Sequence, residues 1–219
     1  MKIICSPTKP ENHGLTLIEV LVVLAVLVVL AIFFLPSTEP SKRAYSIVCV
    51  NNLKQIGLGL KFYANDNNDR LPMQVSATNG GTTEFIASSR VFQRFQIASN
   101  ELGNSTKILV CPFDVNRHDA PNFRTLTDSN VSYFFNADAA AFSSDSMLSG
   151  DRFLESSGQP VSSGLFVLTT NLHVTWTPDI HKGSGNVLWS DGSAQQTMSP
   201  SLPSLIQGQP LATNRLLIP

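Results

Sequence analysis

Three sets of residues in this chain carry side chains able to do chemistry. His181 is followed, after the nine residues "KGSGNVLWS", by Asp191-Gly192. An imidazole and a carboxylate can serve as base, metal ligand or hydrogen-bond anchor. A tight turn alone also accounts for Asp-Gly, because glycine enters positive φ without steric cost. On that reading His181 anchors the hairpin by bonding a loop carbonyl. A second set is carboxylates: Asp66 and Asp69 in "NDNND", with Asp179 and Asp191 further on. Oxygen donors of this kind suit calcium, although "NDNND" lacks the glycine and the later bidentate acid of a hand-type loop. The third is Glu19, a lone acid near the start of a long apolar run, with Gly14 five residues before it. An ionisable group inside such a run is a functional candidate that needs a partner, and the run holds no Lys, Arg or His. Solvation among lipid headgroups is the other reading of Glu19.

Enzyme chemistry requires a nucleophile, a base and an orienting group. Serines are plentiful, but no G-x-S-x-G occurs, and His118, His173 and His181 stand in unrelated contexts. The expectation is that the chain is not an enzyme. From Lys42 onward there are 13 Lys and Arg against 13 Asp and Glu, so this part is formally neutral. With no basic stripe to follow phosphates, nucleic acid is excluded as a main partner.

The elements that must position these residues begin with the apolar run. Leu15 to Leu35 is 21 residues, roughly 31 Å as a helix, which matches a bilayer core. A secretory signal peptide fits less well, because the run is long and no small-x-small cleavage site follows it. Pro36, with Pro40 beyond it, predicts a kink or break. After the break, Tyr45, Cys49, Leu53, Ile56, Leu60 and Tyr63 step by three and four residues, the stripe of an amphipathic helix. Gly57 and Gly59 weaken that helix and predict a close neighbour there. The remainder reads as strands and loops. "KILVC", "VSYFFN", "SGLFVLTT" and "LHVTW" have strand composition, and "GNVLWS-DG-SAQQTM" predicts a hairpin around a two-residue turn. The tail from Ser199, with three internal prolines, predicts an irregular wrap. The predicted fold class is α+β: a long N-terminal helix packed on a small antiparallel sheet.

The string "G-LTLIEV" (Gly14, Leu15 to Val20) closely resembles the type IV prepilin and pseudopilin signature. "CVNNLKQIGLGLKFYANDNNDRLP", "LVCPFD", "VSYFFN" and the His181-x9-Asp191-Gly192 pattern extend the resemblance to a large bacterial group of pilin-like proteins. It implies cutting by a prepilin peptidase between Gly14 and Leu15, N-methylation of Leu15, and pairing of the Glu19 carboxylate with the new amine of a neighbouring subunit. Paired between subunits, the two charges cost less in lipid than either does alone. The family usually has Phe at the first mature position; Leu15 departs from that and is expected to be cut, more slowly.

The implied organisation is a leader over 1–14, a transmembrane and assembly helix over 15–35, a kinked stem helix over 36–69 and an α+β domain over 70–219. The domain carries the hairpin and the irregular tail. Processing removes Cys5, leaving Cys49 and Cys111. Two cysteines outside the cytoplasm commonly pair, and closing some sixty residues is worth about 4 kcal/mol on the chain-entropy model. Two buried free thiols are the alternative, and metal binding by two cysteines alone is not expected. Some pseudopilins hold calcium in an outer loop, but their ligand loop is not recognisable here, so no cofactor is expected.

The implied function is a structural subunit of a type II secretion pseudopilus or pilus-like filament. Its partners are the prepilin peptidase and methylase, other pilins or pseudopilins, inner-membrane assembly components and lipid. The implied location is the bacterial inner membrane, single-pass, with a cytoplasmic N-terminus and an extracytoplasmic domain. The alternatives are an anchored ligand-binding module that does not polymerise and, last, an anchored hydrolase.

Overall fold

The computed structural model describes residues 16–34 and 42–219. Two compact units divide the chain, Met1–Pro40 and Ser41–Pro219. In the first, α1 (Leu17–Phe34) is a helix of leucine, valine, isoleucine, alanine and phenylalanine broken by one acid. It is capped locally. The Thr16 amide and hydroxyl donate to the Glu19 carboxylate, both at 2.7 Å, and the Glu19 amide faces the Thr16 hydroxyl oxygen at 3.4 Å. This reciprocal box satisfies amides that the first helical turn leaves without partners. Every side chain from Thr16 to Ala31 is exposed. No helix among the described residues is long and apolar enough to cross a membrane. As described, α1 has 18 residues, about 27 Å at ~1.5 Å per residue, against a core of ~30 Å. The predicted break at Pro36 and Pro40, Leu35, and the Gly14–Leu15 cut lie outside the described residues.

In the second unit, the stem helix α2 runs from Lys42 to Asp66. Its predicted stripe forms the packing face: Cys49, Leu53, Ile56, Leu60 and Tyr63 are buried, with Tyr45 half-buried at the near end. A short helix α3 (Phe92–Ile97) follows in a region otherwise made of turns. Nine strands come next: β1 (Tyr133–Asn136), β2 (Met147–Asp151), β3 (Leu154–Ser156), β4 (Gln159–Pro160), β5 (Gly164–Thr169), β6 (Val174–Trp176), β7 (Ser184–Trp189), β8 (Ala194–Met198) and β9 (Thr213–Ile218). A last helix, α4 (Leu202–Gln207), precedes β9. Six strands form one sheet in the order β5-β9-β1-β2-β7-β8, and β4-β3-β6 form a second. All pairings are antiparallel.

The large sheet is covered on both faces, and the strand period of two sorts its residues between two cores. Tyr133, Phe135, Leu148, Leu188 and Leu217 join the α2 stripe. Their chain neighbours Phe134, Met147, Val187, Trp189, Leu216 and Ile218 join Leu154, Val174, Trp176, Leu202 and Ile206 in the other core. Burial on both faces explains why Tyr133–Phe135, Val187–Trp189 and Leu216–Ile218 read as apolar runs with no polar alternation.

Three expectations are corrected. The tail is not an irregular wrap: it supplies α4 and then β9, which lies between β5 and β1 inside the sheet. Pro203 falls in the first turn of α4, where its missing amide costs nothing, and no proline interrupts residues 211–218. "KILVC" is not a strand either, because Thr106–Leu109 forms a 3₁₀ turn that puts both Ile108 and Leu109 into the core. A strand would have sent the two to opposite faces. The β7–β8 hairpin has a three-residue loop, not two. The Gly192 amide donates to the Trp189 carbonyl at 2.9 Å and the Trp189 amide to the Ser193 carbonyl at 2.8 Å. Gly192 alone takes the positive φ, 87°.

Candidate functional site

The junction between α2 and the β7–β8 hairpin gathers most of the singled-out residues. Cys49, at the near end of the α2 stripe, is joined to Cys111 by a disulfide with Cα atoms 5.2 Å apart. Cys111 is delivered by the segment after the 3₁₀ turn, which the Asn52 side-chain amide holds by donating to the Val110 carbonyl at 3.1 Å. His181 lies directly against this bridge, its Nε2 3.5 Å from Cys111 Sγ. Its ring also meets Phe113 edge to face at 4.4 Å between centroids, and Phe113 meets Tyr45 of α2 the same way at 5.5 Å. His181 has a positive φ of 50°, as do Lys182 and Gly183, so the chain turns sharply into β7 here. The expected partner of His181, a loop carbonyl, is replaced by a sulfur and two side chains.

Those two side chains are Asp151, from the end of β2, and Asn186, from β7. Asn186 donates its backbone amide and side-chain amide to Asp151 Oδ2 at 2.8 and 2.9 Å. The same side-chain nitrogen stands 3.2 Å from His181 Nε2, and Asp151 Oδ2 is 3.5 Å from that nitrogen. The His181 and Asp151 side chains are only 1% and 2% exposed. Burial sets the charges. It pushes the Asp151 carboxyl up to about 7, against the bonds from Asn186, with the nearby Asp114 carboxylate raising it further. Burial likewise pushes His181 down to about 4, so the imidazole is neutral at neutral pH. Asp114, the acid of "LVCPFD", takes a bidentate pair from Arg152 at 2.8 and 3.1 Å.

The other end of the His-x9-Asp-Gly pattern also meets α2. The Asp191 carboxylate accepts from the Ser193 amide and hydroxyl at 2.8 and 2.6 Å, closing the turn. Those bonds hold the Asp191 carboxyl below its ordinary value. The Asp191 carbonyl accepts from Lys61 Nζ at 2.9 Å. A Cβ on Gly57 would lie 2.7 Å from Leu188 Cδ1 and 3.1 Å from Gly192 Cα, so the glycine permits helix and hairpin to touch. Gly59 does the same toward Leu102 and Glu101, where its Cβ would meet atoms at 2.7 and 2.9 Å. Both ends of the pattern thus clamp the sheet to the stem.

Among the described residues, Cys49, Cys111 and His181 form the one grouping of three metal-ligating side chains, and Asp66, Asp69, Asp179 and Asp191 are not part of it. Beside the Asp191 turn a groove of about 420 Å³ opens, lined in part by Asp145, Trp189, Asp191, Gln195, Ser204 and Gln209. Sequence reasoning missed Asp151, Asn186 and Asn52, which no local pattern marks. It also missed Thr16, although T-x-x-E before an apolar run is a legible capping signal.

No curated protein and no solved structure matches the chain. Residues 10–35 match the family model described as the prokaryotic N-terminal methylation motif. The chain therefore carries that motif at its N-terminus, consistent with a type IV pilin-like or pseudopilin-like protein.

Proposed function

We propose that this chain is a pilin-like structural subunit, anchored by the apolar segment Leu15–Leu35 and assembled through it into a secretion pseudopilus or pilus-like filament. The match of residues 10–35 to the methylation motif is the observation that carries this reading. On it, a prepilin peptidase cuts between Gly14 and Leu15 and Leu15 is N-methylated. The apolar side chains of α1, exposed from Leu17 to Ala31, and its single acid support assembly. A helix apolar on all sides needs lipid or other helices around it. In the described chain Glu19 bonds only its own Thr16, and assembly would add the free amine of a neighbouring subunit. The role is mechanical and interactive, performed in the inner membrane with other pilins and assembly components, the domain extracytoplasmic.

Mass analysis of the N-terminal peptide from protein recovered from its own membrane tests this. A chain starting at N-methylated Leu15 is expected. A chain still starting at Met1, in cells with an active prepilin peptidase, overturns it. The groove beside Asp191 favours a second reading, an anchored ligand-binding module that does not polymerise. That reading requires Glu19→Ala to leave the protein's function untouched, whereas assembly requires it to fail.

A further inference from the structure

The disulfide and His181 form a donor set beyond what closing the stem requires. The two sulfurs and an imidazole nitrogen all lie within 4.8 Å of one another. Nε2 faces Cys111 Sγ at 3.5 Å. In a tetrahedral zinc site, with Zn–S near 2.3 Å and Zn–N near 2.0–2.1 Å, sulfur and nitrogen ligands stand roughly 3.5 Å apart. The imidazole thus already occupies a ligand's place relative to one sulfur. A fourth, oxygen-bearing group is close, since Asp151 Oδ2 is 3.5 Å from the same nitrogen and, among the described residues, its Oδ1 is buried without a hydrogen-bond partner. His181 Nδ1 is also buried without one. While the sulfurs are bonded to each other they offer no thiolate.

We propose that the reduced form of this junction is a zinc site held by Cys49, Cys111 and His181, so that disulfide and metal are alternative clasps between stem helix and sheet. A dithiol reductant opens the bridge. Two electrons and two protons pass to the protein sulfurs, and the reductant leaves as its own disulfide. Zn²⁺ then displaces the two thiol protons, and the sulfurs part by side-chain rotation to roughly 3.7 Å, the sulfur–sulfur edge of such a site. Two thiolates and an imidazole select zinc over calcium or magnesium, which take oxygen donors. The inference does not depend on filament assembly.

Cobalt(II) is the probe, because thiolate coordination to it absorbs in the near ultraviolet and tetrahedral geometry intensifies its visible bands. The full chain in detergent is reduced with dithiothreitol, freed of reductant without air and titrated with Co²⁺, with circular dichroism followed throughout. One equivalent is expected to bind with both signatures and to be displaced by Zn²⁺, while the disulfide form binds none. His181→Asn, which preserves a buried polar side chain, should weaken binding at least ~tenfold, since even outer-shell partners of a metal are worth that much. A folded reduced protein with no thiolate band overturns the proposal. So does equal affinity in His181→Asn, or unfolding on reduction that cobalt does not reverse.

Discussion

The two long helices of this chain are stabilised in opposite ways. α2 meets its domain along its whole buried stripe and is pinned at several points, among them the Cys49–Cys111 bridge, the Gly57 contact and the Lys61 bond to Asp191. Among the described residues α1 has no such pinning: its side chains are exposed from Thr16 to Ala31, and its side-chain bonds are those of the cap between Thr16 and Glu19. An amphipathic helix takes its stability from the sheet it covers, whereas a uniformly apolar one must take it from surroundings supplied by lipid or other subunits. Changes in α2 should therefore register in the stability of the domain, and changes in α1 should register only in what the protein assembles with.

Removing the bridge has the largest expected effect on the domain. Cys49→Ser with Cys111→Ser should lower unfolding free energy by about 4 kcal/mol, given a sequence separation of 62 between the cysteines. Denaturant unfolding of oxidised wild type and the double variant would measure it. An unchanged midpoint would mean that the bridge does not constrain the unfolded chain. Next comes Gly57→Leu, which forces a side chain against Leu188 and Gly192 and should cost about 1–3 kcal/mol by overpacking. Lys61→Met keeps the aliphatic stem and loses the bond to the Asp191 carbonyl, and should cost about 1 kcal/mol in thermal unfolding.

The buried pair sharpens the comparison through pH. Asp151 rises from 3.8 to about 7, so the native state binds its proton more tightly than the unfolded chain. Its contribution is full below about pH 4 and is lost as pH rises through 7. His181 falls from 6.5 to about 4, so its contribution is full above 6.5 and is lost as pH falls through 4. Between about pH 4 and 6.5 the slopes oppose each other, and the oxidised wild type should vary little there. Asp151→Asn should make stability rise with pH across that window, and His181→Asn should make it fall. Denaturant midpoints measured from pH 4 to 7 test both signs, and parallel profiles for the two variants would refute the assignment. The smallest expected effect lies in α1: Glu19→Ala should leave the domain's melting temperature unchanged while abolishing assembly. A shifted melting temperature would show that α1 is not independent of the domain.

Local patterns made part of this fold legible. The α2 stripe from Cys49 to Tyr63 is written in steps of three and four, and every one of those residues is buried. The hairpin was readable from Asp191-Gly192, although the loop length was not, because Asp-Gly suits two-residue and three-residue loops alike. "KILVC" is ambiguous along the chain, because a short apolar run fits a buried strand or a buried helical turn equally well. In the tail the number of prolines suggests irregular chain, but their positions decide: Pro203 opens a helix and Pro210 precedes a strand that nothing interrupts.

What the sequence by itself determined are features in which neighbouring residues suffice: the apolar character of α1 with its T-x-x-E start, the amphipathic stem and the alternation of apolar runs with turns. Only the tertiary structure decided what His181 does. Its partners are Cys111, Asp151 and Asn186, and the first two lie 70 and 30 residues away along the chain. No periodicity relates such positions. They meet because β2 pairs with β7 and the bridge ties the 3₁₀ segment to α2, and closing long loops is decided by the packed core as a whole. Two cysteines read along the chain offered no metal chemistry. The fold set an imidazole against them.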